Sequence, residues 1–379
     1  MIPFLIIFNG IFISAHIYLY LHLRSALPRG KSRGAAAAVM VLLFGAFLLA
    51  GLGRRLLPFN FSAAAWRYGV WWFGFLFYAV AVLLLVDIAR TITWTVRRFH
   101  PGIRSARFPA LRREGLLALL MGVILLLFIG YLNARRPRVV ERELRLAPSC
   151  GSMEKLDLML VSDLHLGTRA NRRILRRVAG KVEVLRPDLI VLVGDIIDRD
   201  VRSIDDRQVE ELLTRLRAPL GVYAVTGNHE FITGVEEAVA GLSRFGIIFL
   251  RDRAVKVAGS FYLAGREDIS GPRWGGGGLS LSGILEEVDR RCPVIVLDHQ
   301  PRRIGEAAAE GVDLVLSGHT HHGQLFPINL ITSAIYPVSR GYGTMEETKI
   351  YVSSGAGTWG PPVRIGNTPE IVLLRIEFE

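Results

Sequence analysis

The chain has 379 residues, enough for two or three domains and at least one full core. It is 51% hydrophobic with a formal net charge of +12, yet the charge is one-sided: residues 1–133 hold fourteen Lys/Arg against two Asp/Glu, and residues 134–379 hold thirty-two of each. The neutral second part argues against a nuclease or any nucleic-acid partner, and the basic excess flanks apolar segments, as membrane topology signals and contacts with anionic lipid do.

Four apolar segments come first, at about 2–23, 34–53, 68–88 and 115–132. Each is close to the ~20 residues that cross a hydrocarbon layer ~30 Å thick. Asp87 lies at a segment end, within reach of the interface. Trp66, Tyr68, Trp71, Trp72 and Trp94 bracket the third segment as an aromatic belt would. Four transmembrane helices are therefore expected over residues 1–133, in an integral membrane protein whose first partner is the bilayer. No basic residue precedes the first segment and four follow it, unlike a cleaved signal peptide. The loops after the first and third segments hold eleven Lys/Arg; the loop after the second and the stretch beyond the fourth hold eight. That bias places the N-terminus outside the cytoplasm, and an even number of spans places the C-terminal domain there too.

Residues 134–152 read as a charged connector. The only cysteines, Cys150 and Cys292, stand too far apart for a disulfide framework or zinc cluster and are expected to be packing residues. From 153 to 379 the texture is that of an α/β domain: apolar runs at 156–161, 189–193, 222–225, 294–297 and 313–316 alternate with helix-period segments near 171–185, 207–216, 235–244 and 279–288. Gly275-Gly-Gly-Gly278 beside Trp274 reads as a surface loop. Runs at 350–353 and 371–376, separated by Gly/Pro turns, look like the second half of a sheet sandwich.

Ligand-type residues stand just past each strand. Asp163 and His165 follow the first, Asp195 and Asp198 the second, Asn228 and His229 the third, Asp298 and His299 the fourth, and His319, His321 and His322 the fifth. The C-terminal strand ends of an open α/β sheet converge on one edge, where such sheets build their sites. The i, i+2 spacing of Asp163/His165 and of His319/His321 points both side chains of each pair the same way if the backbone there is extended. Carboxylates, imidazoles and one amide oxygen form a mixed O/N set for two divalent transition metal ions such as Mn, Fe, Zn, Co or Ni. Asp195 is the kind of carboxylate that bridges two ions ~3.5–4 Å apart.

These blocks resemble the calcineurin-like metallophosphoesterase superfamily, whose pattern runs D-x-H, G-D-x-x-D, G-N-H-D/E, H and G-H-x-H. The resemblance covers the chain from about 156 onward. It implies a four-layer fold, a two-sheet β-sandwich flanked by helices, here preceded by the four-helix transmembrane region. It also implies one metal on Asp163, His165, Asp195 and His321, and a second on Asp195, Asn228, His299 and His319. His229 would protonate the leaving oxygen or stabilise the transition state, with Asp198 orienting it. Ser162-Asp-Leu-His-Leu-Gly167, Gly318–Gln324, Gly355-Ala-Gly357 and Pro362-Val-Arg364 through Pro369-Glu370 are similar to the branch of bacterial YkuE/YaeI-type phosphodiesterases and transmembrane metallophosphoesterases. His322 departs from that branch, which has Gly there.

The function implied is a membrane-anchored, dimetal phosphoesterase acting on phosphodiester or pyrophosphate bonds. A bilayer anchor suggests a lipid-linked phosphate ester, UDP-2,3-diacylglucosamine being one example, although that nucleotide-linked lipid is cytosolic and conflicts with the expected topology. Arg364, His322 and the loop 266–278 are candidate substrate contacts. The alternative is a transport or signalling membrane protein with a regulatory phosphoesterase domain, which polar residues within the spans would support; they are few (Asn9, His16, Asp87). A catalytically dead scaffold would have lost ligands, and none is missing.

Overall fold

The computed structural model describes residues 2–52, 59–100, 113–198, 200–271 and 278–379. The chain divides into two compact units, Met1–Ile129 with Gly360–Pro362, and Gly130–Trp359 with Val363–Glu379.

The first unit is built from α1 (Ile2–Ala26), α2 (Lys31–Leu52), α3 (Phe59–Phe99) and most of α4 (Arg113–Ala134). Among the described residues, Ile6–Ala26, Ala64–Phe99 and Arg113–Ala134 are long and apolar enough to cross a membrane. They correspond to the first, third and fourth expected spans. The second falls on α2, whose side chains beyond Ala46 lie outside the described ones. Helix α3 runs well past the expected 68–88 because residues 89–99 contain no Gly or Pro; Pro101 follows its end, as proline after a helix commonly does. Phe12, Leu19, Leu76, Leu83 and Leu116 form the core, while Ile7, Ile11 and Leu85 stay more than 60% exposed. Helices apolar on every face are suited to lipid rather than water. Inside this unit Trp72 Nε1–H donates to His16 Nε2 (2.8 Å) and Tyr18 Oη–H to Asp87 Oδ2 (2.6 Å).

The second unit holds two six-stranded mixed sheets. One has the order β1 (Arg138–Leu146), β12 (Glu370–Phe378), β2 (Lys155–Val161), β3 (Leu189–Val193), β4 (Val222–Val225) and β5 (Ile247–Phe249). The other runs β10 (Gly341–Met345), β11 (Thr348–Val352), β9 (Leu314–Ser317), β8 (Val294–Leu297), β7 (Phe261–Gly265) and β6 (Arg253–Val257). Strands β2 to β5 are parallel to one another, as are β7, β8, β9 and β11. Strand period two then sorts the side chains. Leu156, Leu158 and Leu160 pack between the sheets with Leu263, Ile295, Leu297 and Leu316. Met159 and Val161 point the other way, under α5 (Arg169–Leu185), α6 (Arg207–Leu213) and α8 (Val235–Ser243). On the second sheet, Val294, Val296 and Val315 pack beneath α9 (Leu281–Ile284) and α10 (Ile304–Ala309). The result is the expected helix–sheet–sheet–helix layering. The remaining α-helices among the described residues are α7 (Asn228–Thr233) and α11 (Ile328–Ile335).

Three expectations are corrected. The supposed connector 134–152 contains β1, which pairs in parallel with β12 from Arg138↔Glu370 to Leu146↔Phe378. Its alternating charges are those of an edge strand and mask it in the sequence. The helix expected to reach 288 is only the four-residue α9. Cys150 and Cys292 are joined in a disulfide across 142 residues. Their proximity comes from tertiary pairing, with Cys150 N–H donating to Ser260 O (2.9 Å) beside β7, the neighbour of β8. The glycine run 275–278 lies, up to residue 277, outside the described residues.

Candidate metal centre

The ligand-type residues do gather at the C-terminal ends of β2, β3, β4, β8 and β9. Three overlapping sets each have their donor atoms within 4.8 Å of one another: Asp163, His165 and His321; His165, Asp195 and His229; Asp195, His299 and His319. Asp195 belongs to two of them, in the place a bridging carboxylate needs.

The backbone achieves this differently from the extended conformation expected. Asp163 (φ 56°), His165 (47°), Asp195 (51°), His319 (69°) and His321 (45°) all adopt the left-handed region. Each such residue costs about 1–3 kcal/mol and persists only where surrounding contacts fix it. The contacts are present: Asp163 N–H donates to Gly194 O (3.1 Å), His165 N–H to Asp195 O (2.9 Å), and His319 N–H to the Asp163 carboxylate (3.1 Å). The glycines of the motifs are required by crowding. A Cβ on Gly194 would lie 2.4 Å from the His299 ring, and one on Gly227 would lie 2.2 Å from Asp195 Oδ1.

The donor chemistry fits cations. His299 Nδ1–H donates to Val193 O (2.9 Å), which turns Nε2 toward Asp195 Oδ2 at 3.3 Å. That buried Nε2 and the buried Asn228 Oδ1 have no hydrogen bond among the described residues, a costly arrangement unless an ion takes the lone pairs. His165 Nε2 and His321 Nε2 face each other at 3.0 Å, the separation of two nitrogens at right angles around one ion ~2.1 Å away. Arg364 Nη2–H donates to His321 Nδ1 (2.9 Å). A guanidinium cannot accept, so the proton of a neutral His321 sits on Nε2, and a cation arriving there exchanges with it. Burial, together with the adjacent His299, pushes His319 down to about 3; burial likewise pushes His321 to about 4 against the pull of Asp163. Burial opposes charge on Asp195 too, but His299 and His229 hold its carboxyl well below the usual range.

His229 has the setting of an acid–base group. Its Nδ1 lies 2.7 Å from the carbonyl oxygen of Asp198 and 3.3 Å from Asp198 Oδ1, and its backbone N–H donates to Asp195 Oδ1 (2.9 Å). Nδ1 therefore carries the proton and Nε2 remains for a reacting oxygen. Burial disfavours a charged ring, but Asp195 and Asp198 override it and raise His229 to about 10. Asp198 also faces His165 Nδ1 at 3.4 Å and so steadies two rings at once.

Two expected substrate contacts are placed otherwise. Arg364 is 1% exposed and directs its guanidinium inward to His321 and to the carbonyls of Ser354, Gly355 and Gly357. Arg266 is buried against Glu306 and Asp298. His322 is half-buried (φ 44°), outside the three donor sets, its carbonyl accepting from Asn367 Nδ2 (3.2 Å). Sequence reasoning missed Glu230. Its buried carboxylate accepts from the backbone N–H of Asp195 (2.9 Å), Gly227 (2.7 Å) and Ile197 (2.9 Å), tying two motifs together. Burial and the Asp195 charge push it up to about 7, with the N–H groups of Ile197 and Gly227 opposing. The fourth residue of G-N-H-E was the available signal.

The family model for calcineurin-like phosphoesterases matches residues 156–323. A Danio rerio protein described as a transmembrane protein with metallophosphoesterase domain is 36% identical over 272 residues, covering 68% of this chain and 62% of its own. The chain thus spans about three fifths of that relative. An uncharacterized metallophosphoesterase of Aquifex aeolicus is 36% identical over 226 residues, 59% of this chain and 85% of its own. The uncharacterized metallophosphoesterase YkuE of Bacillus subtilis is 27% identical over 260 residues, 65% and 89% respectively.

Proposed function

The chain belongs to the calcineurin-like metallophosphoesterases, and from that membership we propose a membrane-anchored hydrolase of phosphodiester or pyrophosphate bonds in lipid-linked substrates. The observation that carries the reading is the three overlapping donor sets, two of which share Asp195, with buried donor atoms on His299 and Asn228 that make no hydrogen bond among the described residues. Asp163, His165, Asp195 and His321 would hold one ion, and Asp195, Asn228, His299 and His319 the other. Two such ions supply Lewis-acid chemistry for in-line displacement at phosphorus. His229, with its Nδ1 proton fixed by Asp198, presents Nε2 to the leaving oxygen and hands it a proton; Asp198 keeps the ring from turning. Changing His229 to Ala is expected to leave metal content intact and slow turnover of bis-p-nitrophenyl phosphate by a factor on the order of 10²–10⁴. Loss of an ion instead would make His229 a ligand.

The catalytic domain is proposed to lie outside the cytoplasm. The Lys/Arg bias supports this, and so does the disulfide, since such bonds persist in oxidising compartments. That side favours a lipid-linked ester of the outer face over cytosolic UDP-2,3-diacylglucosamine. A reporter fused after Glu379 and active only in an oxidising compartment is the expected result. Cys292→Ser should then lower stability by about 2–5 kcal/mol in thermal melts. A reporter active only in the cytoplasm, or a melt unmoved by the substitution, would reverse the placement. The alternative of a transporter or signalling protein draws support from the His16–Trp72 and Tyr18–Asp87 contacts, because polar groups within spans are commonly functional.

A further inference from the structure

Helix α11 (Ile328–Ile335) is amphipathic and apolar, yet none of its residues is buried. Leu330, Ile331 and Ile335 are 62%, 58% and 57% exposed. An uncovered face of this kind in the second unit marks a contact surface, and the surrounding residues identify what covers it. We propose that α11 lies on the bilayer surface, with Leu330, Ile331 and Ile335 inserted in the interfacial layer beside the metal centre.

The first argument is position. Gly130–Ala134, the last turn of a helix apolar enough to span, belongs to the same unit as α11. Gly130 O accepts from Arg364 N–H (3.0 Å), and Asn133 Nδ2 donates to Arg364 O (3.0 Å) and Asn367 O (2.7 Å). Between those two clamped residues, Ile365 O accepts from Phe326 N–H (2.8 Å), and Pro327 next to it is the N-cap of α11. The helix thus starts a few residue widths from the place where the chain leaves the hydrocarbon. At ~12 Å long it stays close to that exit, where the interfacial layer is itself ~5–8 Å deep.

The second argument is composition. Arg135, Arg136 and Arg138 follow the exit. Arg302 stacks on Tyr336, the C-cap of α11 (5.6 Å), and Trp359, 44% exposed, exchanges hydrogen bonds with Gln324 just before the helix. Cations and an amphipathic aromatic around an apolar helix are the ingredients of interfacial binding to anionic lipid. The third is function: α11 follows the His321–Gln324 turn, and Tyr336 at its far end has its ring 6.3 Å from that of His319. Seating α11 in the interface brings headgroup phosphates to the donor sets; this last step rests on the hydrolase reading, while the seating does not.

The full chain, oxidised at Cys150–Cys292, is reconstituted in nanodiscs of equal parts phosphatidylcholine and phosphatidylglycerol, with a nitrobenzoxadiazole label at Ile331→Cys or Ile335→Cys. Val184→Cys on α5, 72% exposed, carries the same label as a control. Doxyl-labelled lipid is expected to quench both α11 labels roughly twofold or more beyond the label on α5, as an apolar face ~5–10 Å into the headgroup boundary requires. Equal quenching at all three sites, or α11 labels that stay water-like, would overturn the proposal. So would labels shielded from water yet untouched by doxyl lipid, since a second copy of the chain would then cover the face. The measurement needs no turnover, so an inactive protein can still pass it.

Discussion

Asp195→Asn should abolish hydrolysis of bis-p-nitrophenyl phosphate by the Mn²⁺-loaded protein. Asp195 sits in two of the three donor sets, its Oδ2 facing His299 Nε2 at 3.3 Å and His165 Nε2 at 3.7 Å. Its Oδ1 holds the backbone N–H of His229 (2.9 Å). An amide of the same shape keeps one acceptor but removes the charge that two cations would share under the proposed ligation, where attraction in a buried site is strongest. Replacing partners of metal ligands costs ~10–100-fold; a bridging ligand should exceed that, with elemental analysis showing fewer than two ions per chain. A variant that keeps both ions and its turnover would remove Asp195 from the bridging position.

Arg364→Met is the second large effect, and it separates two roles for one residue. The guanidinium is enclosed and donates to the carbonyls of His321 (3.0 Å), Ser354 (2.7 Å), Gly355 (3.1 Å) and Gly357 (2.6 Å), and to His321 Nδ1 (2.9 Å). Methionine fills similar space but strands several buried acceptors, at about 1–3 kcal/mol for each one left bare. A fall in Tm on the order of 10 °C is expected, with metal affinity ~10–100-fold weaker as His321 loses its support. Lysine should not rescue, because a single ammonium cannot span the fork of a guanidinium. Were Arg364 a substrate contact, KM would rise while Tm and metal content stayed put.

Both residues stand in sequence motifs, but only Asp195 lies in the surroundings expected of it, among the donor sets, whereas Arg364 is enclosed away from a substrate. Asp195 stands in a motif at a strand exit, where the run 189–193 and the glycine after it announce an apolar strand ending at a turn. That logic also located Asp163, His165, Asn228, His229, His299, His319 and His321. It was local, and local patterns are what period-two runs record. Arg364 is different: its surroundings come from the carbonyls of 354–357 and from His321, brought together by the pairing of β11 with β9. The same limit hid the Cys150–Cys292 bond. Strand β1 escaped for another reason, since an edge strand of alternating charge has little apolar signal. The left-handed ligands escaped because spacing gives direction only once backbone conformation is known.

The hydrogen bonds from Asn133 have a practical corollary for anyone wishing to shed the anchor. The second unit begins at Gly130, within a helix long and apolar enough to span a membrane, and not at the charged stretch that follows it. A soluble fragment trimmed at residue 135 would discard the amide that caps the carbonyls of Arg364 and Asn367, loosening the segment from which Arg364 reaches His321. Cutting the second unit away from α4 should therefore weaken metal binding at His321, even with every residue of the donor sets still in place.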